Sequence, residues 1–450
     1  MNPNGWAPAR LQDIATIIDP NPKHRNPKYI SQGFPFISTA EFIEPEGILI
    51  DSKRRVSEDT VIEQEQRCNF SLRSIFFSRK GTIGKVRMHP GGRLALLDSL
   101  CVINPNDLIS SRFLMLALRS SDMQASIEAV TRGVALRQIS VGEVRELTVP
   151  IAPANEQQRI VGKLDAFFER SHHLRSELYA IASLIEQFRR AVLSAATTGK
   201  LTEGWVRSRA SREPWRMLPL HELCYSFDYG TAAKSHSSGS VAVLRMGNLQ
   251  SGKIDWTDLA YTSDAAEIKK YSLKPKTVLF NRTNSPDLVG KTAIYNGEHD
   301  AIFAGYLIRI NHKEILDPDY LNYCLNSPMA REYFWRVKSD GVSQSNINAQ
   351  KLGNLPFPYC SKVEQQEIVR RIAALFAKAD AMAQLVSEAH ARVDLAEQAV
   401  LARAFRGELV LQDPNDEPAS VLLERIRAER AALETLKTKN SQRRQPHTSA

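Results

Sequence analysis

The sequence repeats itself at a fixed interval of 208 residues. The tripeptide Glu156-Gln157-Gln158 returns as Glu364-Gln365-Gln366 (364 − 156 = 208), and Pro150 returns as Pro358. Further matches follow without a gap: Ile160, Val161, Phe168, Leu193, Gly199 and Leu201 return as Ile368, Val369, Phe376, Leu401, Gly407 and Leu409. A repeat unit much longer than one helix indicates two structural units of the same fold within one chain.

The composition is that of a globular protein with room for more than one domain. The chain has 450 residues, of which 43% are hydrophobic and 24% charged. Its first residues lack a basic segment followed by an apolar stretch, and no apolar run approaches the roughly 20 residues that span a bilayer. We therefore expect a soluble, cytoplasmic protein that has no contact with a membrane.

The cysteine and histidine patterns do not predict a metal site. The five cysteines are scattered and contain no Cys-x-x-Cys pair, which argues against both a disulfide framework and a zinc site. We expect reduced thiols in the protein cores. The adjacent His172 and His173 fall on a helical segment outside its apolar face, and we expect solvent rather than a metal around them.

Two segments without acidic residues are rich in lysine and arginine. The net charge of +9 permits a polyanionic partner, but the distribution of charge is more informative. The first basic window lies between Glu65 and Asp98, and the second lies between Glu267 and Asp287, in the matching part of the repeat. The basic residues are Arg67, Arg73, Arg79, Lys80, Lys85, Arg87 and Arg93 in the first window and Lys269, Lys270, Lys274, Lys276 and Arg282 in the second. A solvated basic face is the alternative, but two windows in equivalent positions favour phosphate binding.

Each window contains an apolar strand that leads an arginine into a loop closed by Gly-Lys. Residues 74–79 match residues 277–282, and Gly84-Lys85 matches Gly290-Lys291. Arginine or lysine at such a loop can bind phosphate or read guanine in the major groove. A strand that ends in a polar turn precedes each window and adds further candidates. The predicted DNA contacts are Arg79, Lys80, Lys85, Arg282, Thr283, Asn284 and Lys291 in the loops, and Ser38, Thr39, Arg245 and Asn248 in the turns.

Each repeat ends in a long heptad pattern. Apolar residues at alternating steps of four and three predict a coiled-coil seam. The predicted seam consists of Ile160, Leu164, Phe167, Leu174, Leu178, Ile181, Ile185 and Phe188 in the first helix, and of Ile368, Ile372, Leu375, Met382, Val386 and Val393 in the second. Asn155 can start the first helix and Ser361 with Glu364, as a capping box, the second, while Gly199 and Gly407 can end them. Each helix is then roughly 44 residues, or about 65 Å, long.

The two long helices must be antiparallel if their seams pair, because the first leads from one globular unit to the other and the second leaves the second unit. The predicted fold class is α+β, with two globular mixed α/β domains joined by an antiparallel coiled-coil spacer and related by an internal pseudo-two-fold axis. We expect the two domains at opposite ends of the spacer, as in a dimeric DNA reader. The predicted segments are residues 1–150 and 206–358 for the recognition domains, 151–205 and 359–412 for the helices, and 413–450 for a C-terminal short helix and flexible tail.

These features together resemble the specificity (S) subunit of type I restriction-modification enzymes, over nearly the whole chain. Leu147-Thr148-Val149-Pro150 before Glu156-Gln157-Gln158, and Leu355-Pro356-Phe357-Pro358 before Glu364-Gln365-Gln366, are similar to the entries to the helices in that family. The exits look similar as well, at 188–201 and 399–409, as do the recognition loops at 78–85 and 281–291.

The resemblance implies a non-catalytic subunit that binds a bipartite, non-palindromic sequence in double-stranded DNA. It further implies two modification (M) subunits that use S-adenosylmethionine to methylate adenine, and restriction (R) subunits that use ATP and Mg for translocation and cleavage. This chain itself would bind no cofactor. A structural coiled-coil adaptor with protein-binding globular ends is the alternative, but it does not account for the paired basic windows.

A nucleotide-binding enzyme is a weaker alternative. Val289-Gly290-Lys291-Thr292 looks like the end of a P-loop, but the first glycine of that motif would fall at position 285, which is a serine. In the other half the glycines are too close together, and Val86 follows Lys85 where Ser or Thr is required. The sequence therefore predicts no nucleotide site and no catalytic constellation.

The segment after the second helix is predicted to form a turn and a short helix. Asp413 and Pro414 begin the turn, and Ser420 can cap a helix that carries Val421 and Leu422. This helix could dock on a partner or pack back on the chain. From Thr438 onward we expect a solvated tail.

Overall fold

The computed structural model describes residues 5–22, 27–131, 138–208, 213–342 and 344–443. The chain divides into two compact units. Unit 1 consists of Met1–Glu177 and Ala389–Ala450, and unit 2 is Leu178–Glu388. Each unit therefore contains one globular part and a portion of each long helix. None of the helices in the described residues has the length and apolar content that crossing a bilayer requires.

The globular part of unit 1 is built on a four-stranded antiparallel sheet. Its strands are β1 (Ala7–Arg10), β2 (Ala15–Ile18), β3 (Phe34–Ile37), β4 (Phe42–Ile43), β5 (Gly47–Ile48), β6 (Arg55–Val56), β7 (Ile75–Ser78), β8 (Val86–Met88), β9 (Ala95–Leu96), β10 (Leu100–Pro105) and β11 (Thr148–Ile151). Its helices are α1 (Leu11–Ile14), α2 (Glu58–Cys68), α3 (Ser111–Arg119), α4 (Ser121–Thr131) and α5 (Val141–Glu146). The strand order is β2-β10-β7-β8, and smaller sheets join β6-β3-β9, β4-β5 and β1-β11.

Unit 2 repeats this plan with a larger sheet. The first long helix, α6 (Ala154–Thr197), leads to α7 (Glu203–Arg207) and to strands β12 (Arg216–Pro219), β13 (Cys224–Tyr229), β14 (Val241–Leu244), β15 (Leu249–Gln250), β16 (Gly252–Ile254), β17 (Ala260–Thr262), β18 (Thr277–Asn281), β19 (Thr283–Asn284), β20 (Thr292–Tyr295), β21 (Ala301–Phe303), β22 (Leu307–His312), β23 (Ser339–Asp340), β24 (Ser345–Asn346) and β25 (Pro356–Tyr359). Its helices are α8 (Ala265–Tyr271), α9 (Pro318–Leu325), α10 (Pro328–Val337) and α11 (Ala349–Gly353). The second long helix, α12 (Lys362–Phe405), then leads back to unit 1, where α13 (Ala419–Arg443) follows.

The strand order of the two units confirms the repeat. The main sheet of unit 2 has the order β13-β22-β18-β20-β16-β15, so its first four strands match β2-β10-β7-β8 of unit 1. Smaller sheets join β17-β14-β21, β19-β24-β23 and β12-β25. In each unit the sheet packs on helices through buried aromatic side chains, such as Phe77 with Phe113 and Phe280 with Phe334. The predicted α+β class with two repeated mixed domains is confirmed. All five cysteines are buried free thiols, as expected.

The long helices have the predicted length of 44 residues each. Gly199 and Gly407 follow the ends of the two helices. Both have a φ of 74°, a backbone conformation that residues other than glycine rarely adopt. The helices pair antiparallel within each unit. In unit 1, Arg175 lies 2.6 Å from Asp394, and in unit 2, Arg189 lies 2.6 Å from Asp380. Both pairs of residue numbers add up to 569 (175 + 394 and 189 + 380), so one antiparallel register describes both contacts.

A buried polar cluster lies between the helices in unit 1. The Ser171 hydroxyl donates a hydrogen bond to Glu397, whose other carboxylate oxygen lies 2.9 Å from Arg175. Ser171 and Glu397 are buried. Because an unpaired charge in such a place is costly, Arg175 and Glu397 each stabilise the other, and Asp394 holds the remaining side of the guanidinium.

Burial differs among the positions of the predicted seam. Ile160, Leu164, Leu178, Ile185, Ile368, Ile372 and Val393 are buried, and Phe167, Leu375 and Val386 are half-buried. Leu174, Ile181, Phe188 and Met382 are exposed by 44, 36, 42 and 52%, so their assignment to the seam is wrong. The next residues along α6, Arg175 and Arg189, face the other helix instead. They can do so because Asp394 and Asp380 neutralise their charges.

The C-terminal helix α13 is longer than predicted and belongs to unit 1. It spans 25 residues, and the expected tail is helical from Thr438 to Arg443, while residues 444–450 lie outside the described part of the chain. Leu422, Leu423 and Ile426 are buried in the core of unit 1. The backbone N–H of Ala419 donates to the Gly5 carbonyl at 2.8 Å. Of the two alternatives, the segment therefore packs back on its own chain.

Candidate DNA interface

The repeated Glu-Gln-Gln tripeptide attaches each long helix to its globular unit. The side-chain amide of Gln157 donates to the Ala152 carbonyl at 2.8 Å and accepts from the Ser110 N–H at 3.1 Å. Gln365 makes the equivalent bonds to the Cys360 carbonyl at 2.8 Å and the Asp317 N–H at 2.7 Å. The glutamine thus links the last strand, the helix start and the loop before a packing helix. This structural role was not predicted from the sequence, although its exact repetition was the available signal.

The glutamate of the tripeptide is buried in both units. Glu364 accepts hydrogen bonds from the Thr202 hydroxyl at 2.8 Å and from the Trp215 indole at 3.0 Å. The predicted capping box is therefore only half formed, because Ser361 accepts from the Glu364 N–H but the carboxylate turns elsewhere. Burial raises the pKa of Glu156, the equivalent residue of unit 1.

The first basic window is neutralised by carboxylates from other parts of the chain. Each of its seven cations has a partner within 4 Å: Arg67 with Glu63, Arg73 with Asp107, Arg79 with Asp19, Lys80 with Asp98, Lys85 and Arg87 with Glu44, and Arg93 with Glu58 and Glu65. The window contains no acid in sequence, but acids from elsewhere in the chain lie beside it, and phosphate binding by this window stays a prediction. Lys80 and Lys85 stay partly exposed with their charges paired, and their role as DNA contacts stays a prediction.

Arg79 and Ser38 are structural residues in unit 1. Arg79 is only 5% exposed, and its Nη2 donates to the Asp19 carboxylate and the Asp98 carbonyl, both at 2.9 Å. Ser38 is buried and forms a capping box with Glu41. Their assignment as DNA contacts is therefore wrong, because neither side chain is accessible. Thr39, next to Ser38, is half-buried.

The equivalent arginine of unit 2 has an aromatic ring as its partner and not a carboxylate. Arg282 lies over the ring of Tyr229, with its guanidinium carbon 4.7 Å from the ring centre. The strand registers place Tyr229 where unit 1 has Asp19. Among the described residues, no carboxylate forms an ion pair with Arg282; its Nη1 donates to the Gly305 carbonyl at 3.3 Å, and its buried Nε has no hydrogen-bond partner. An aromatic ring holds a guanidinium without cancelling its charge, so Arg282 remains a candidate contact.

The two residues after Arg282 lie on a short strand. The Thr283 hydroxyl accepts a hydrogen bond from the Asn346 side chain at 2.7 Å, across the β19 and β24 pair. Asn284 accepts from the Ser285 N–H at 2.8 Å. Both side chains are half-buried, so they remain candidates at the edge of this small sheet.

Four of the predicted contacts in unit 2 line one cavity of about 390 Å³: Arg245, Asn248, Asn284 and Lys291. Asn248 is itself buried and donates to the carbonyls of Asp255 at 3.0 Å and Asp258 at 2.8 Å, so its role is structural and its assignment as a DNA contact is wrong. The structure thus brings the accessible candidates of unit 2 together.

Within the described ranges, no group of three or more His, Cys, Asp or Glu side chains could hold a metal ion.

Comparison with known proteins gives matches over both halves of the chain. The family described as "Type I restriction modification DNA specificity domain" matches residues 3–180 and again 213–389. The Type I restriction enzyme EcoKI specificity subunit of Escherichia coli (strain K12) is 26% identical over 458 residues, covering 96% of each chain. The Type I restriction enzyme StySPI specificity subunit of Salmonella potsdam is 28% identical over 465 residues, covering 97% of this chain and 98% of the relative.

A solved structure shares the fold. It comes from work titled "Structural basis underlying complex assembly and conformational transition of the type I R-M system", with a TM-score of 0.63 and 18% identity over 91% of this chain and 100% of the other.

Proposed function

The chain belongs to the family of type I restriction-modification DNA specificity domains, and from this membership we propose that it is the DNA sequence-specificity subunit of a type I restriction-modification complex. The observation that carries the proposal is the separate match of the family to each half, together with relatives covered over nearly their full length. The adaptor alternative has no comparable support.

We propose that each unit reads one half of a bipartite DNA target. The loops of the two units differ, since Arg79 is bound by Asp19 whereas Arg282 lies on Tyr229. Two different reading surfaces favour two different half-sites, hence a non-palindromic target. In this proposal the chain performs no catalysis and binds no cofactor; methylation with S-adenosylmethionine belongs to two M subunits, and cleavage with ATP and Mg to R subunits.

Mapping methylated bases tests this function. The chain is expressed with the M subunit from the same source in cells that lack other adenine methylation. We expect methylated adenines in two unlike half-sites at a constant separation, and the purified chain alone should neither methylate DNA nor hydrolyse ATP. No new methylation, or methylation of a single uninterrupted site, would contradict the proposal.

The long helices offer a surface for the M subunits. In unit 2, the exposed apolar side chains on these helices include Ile181, Leu184, Phe188, Met382 and Leu385. Leu184 and Leu385 are level in the antiparallel register (184 + 385 = 569). Ile181, Leu184 and Phe188 follow one face of α6 at spacings of three and four, and Met382 and Leu385 share a face of α12. We propose that this apolar strip docks helices of an M subunit.

A charge on the strip should weaken the complex. For Leu184→Asp we expect the affinity for the M subunit to fall about 30-fold, since burying an unpaired carboxylate in an apolar interface costs about 2 kcal/mol. Leu395→Asp is the matched control, because Leu395 is similarly exposed (65% against 59% for Leu184) but lies on the part of α12 that belongs to unit 1. Binding is measured by titration of labelled subunits. Equal affinities of the two variants for the M subunit would refute the strip as the docking site.

A further inference from the structure

The two recognition units place a lysine at the same point of the same loop. Lys85 follows Gly84 and Lys291 follows Gly290, and the two glycines have φ of 83° and 84°. Each glycine N–H donates to the backbone carbonyl of the last residue in the preceding strand. The distance is 3.0 Å from Gly84 to Ser78 and 2.8 Å from Gly290 to Asn281. A larger residue would press on a neighbouring side chain at either position. Its Cβ would lie 2.8 Å from the Gln124 side chain at Gly84 and 3.0 Å from the Phe334 ring at Gly290. The backbone that positions the two lysines is therefore the same.

The partners of the two lysines differ. Lys85 Nζ lies 2.6 Å from a carboxylate oxygen of Glu44. Lys291 Nζ instead donates to the neutral side-chain amide of Gln250 at 2.9 Å. No carboxylate of the described residues forms an ion pair with Lys291. The charge at this position of the repeat is thus cancelled in unit 1 and retained in unit 2.

A second cation strengthens the positive field at Lys291. Arg331, on α10, donates to the carbonyls of Asp287 at 2.9 Å and Val289 at 3.1 Å, and no carboxylate of the described residues pairs with it. Burial lowers the pKa of Lys291, and the neighbouring charge of Arg331 lowers it further. Two cations so close together without an anion are more stable when an anion binds beside them.

The cavity at Lys291 has room for such an anion. It measures about 390 Å³ and is also lined by Asn284, Gln250 and Arg245. Its two carboxylates are already engaged: Asp258 lies 3.1 Å from Arg245, and Asp255 accepts from the N–H and hydroxyl of Thr257 at 3.0 and 2.8 Å.

We propose that Lys291 binds a backbone phosphate of DNA, supported by the charge of Arg331, and that this contact exists in unit 2 but not at the equivalent Lys85 of unit 1. The inference rests on the proposed DNA-binding function and adds to it a phosphate contact that the two units do not share. An ammonium group binds phosphate as a point charge from many directions, and the amides of Asn284 and Gln250 can donate to the same oxygens.

Salt dependence of DNA binding tests the proposal. The complex of the full chain with its M subunit is titrated with duplexes that contain or lack the methylated target, over a series of salt concentrations. For Lys291→Gln we expect the slope of log K against log salt to decrease by about one, and the affinity for both duplexes to fall by the same factor. For Lys85→Gln we expect an unchanged slope, because Glu44 already neutralises that lysine.

A third variant keeps the lysine and supplies the missing carboxylate. Gln250→Glu should neutralise Lys291 as Glu44 neutralises Lys85, and should lower the slope by the same amount, with the melting temperature unchanged or raised. An unchanged slope in both Lys291→Gln and Gln250→Glu would overturn the proposal, and so would a loss confined to one base pair of the target, which indicates base reading. If the unmodified complex shows no sequence preference among duplexes, the proposed function itself fails, and that outcome is distinct from an unchanged slope in a complex that binds its target.

Discussion

Replacing Arg79 by alanine is expected to destabilise unit 1 by about 3 kcal/mol. The guanidinium is buried and holds both the Asp19 carboxylate and the Asp98 carbonyl at 2.9 Å, so its removal leaves the Asp19 charge without a cation and, among the described residues, with only the Asn21 N–H as a donor. Hydrogen exchange of the amides in β7 and β10, measured by mass spectrometry, reports the free energy of opening in that sheet. We expect faster exchange in unit 1 and unchanged exchange in unit 2.

Arg282→Ala is the matched control, because Arg282 occupies the same position in unit 2. Its stacking on Tyr229 contributes only about 1 kcal/mol, so we expect a small effect on the stability of β18 and a clear loss of DNA affinity. If the two variants were equally stable and Arg79→Ala lost only the recognition of the half-site read by unit 1, Arg79 would be a DNA contact after all.

Removing one heptad from each long helix is expected to change the length of the DNA spacer. Both helices contain residues of unit 1 and of unit 2, so their length contributes to the separation of the reading surfaces in the proposed mechanism. Deleting residues 178–184 and 385–391 removes segments that are level in the antiparallel register (178 + 391 = 569). At 1.5 Å per residue this shortens each helix by about 10 Å, or about three base pairs at 3.4 Å each.

The methylated sequences of this double deletion give the result directly. We expect the same two half-sites with a spacer that is about three base pairs shorter, and no methylation at the original sites. Deleting residues 178–184 alone should abolish methylation by the complex, because it shifts the contact residues of one long helix against those of the other. An unchanged spacer in the double deletion would rule out the helices as the element that sets the distance.

The long helices were the most predictable part of this structure because their signals are local. The heptad pattern, the capping serine and the glycines at 199 and 407 all act within a few residues of the backbone that they specify. The seam was less predictable, since a charged residue can face the interface when the other helix supplies a carboxylate. Arg175 and Arg189 do so through Asp394 and Asp380, and no local pattern predicts that pairing.

The DNA contacts were predicted less well because charge is compensated through space. The first window contains no acid in sequence, but Asp19 lies 60 residues before Arg79 and Glu44 lies 41 residues before Lys85. Ser38 and Asn248 were chosen as polar turn residues that could face DNA, whereas polar side chains in tight turns often bond their own backbone. In unit 2, Arg282 and Lys291 are not paired with carboxylates, because a ring and an amide stand where unit 1 has carboxylates.

The polar cluster between the helices in unit 1 makes the two halves of the chain complementary rather than interchangeable. By the repeat interval, the counterpart of Glu397 is Arg189 (397 − 208 = 189), and the counterpart of Arg175 is Ala383 (175 + 208 = 383). A protein assembled from two first halves would set Arg175 against Arg189, and one assembled from two second halves would bury Glu397 beside Ala383 with no cation. Genetic exchange between the two halves that carries the paired helix segment along with a reading surface would therefore disturb the helix pairing.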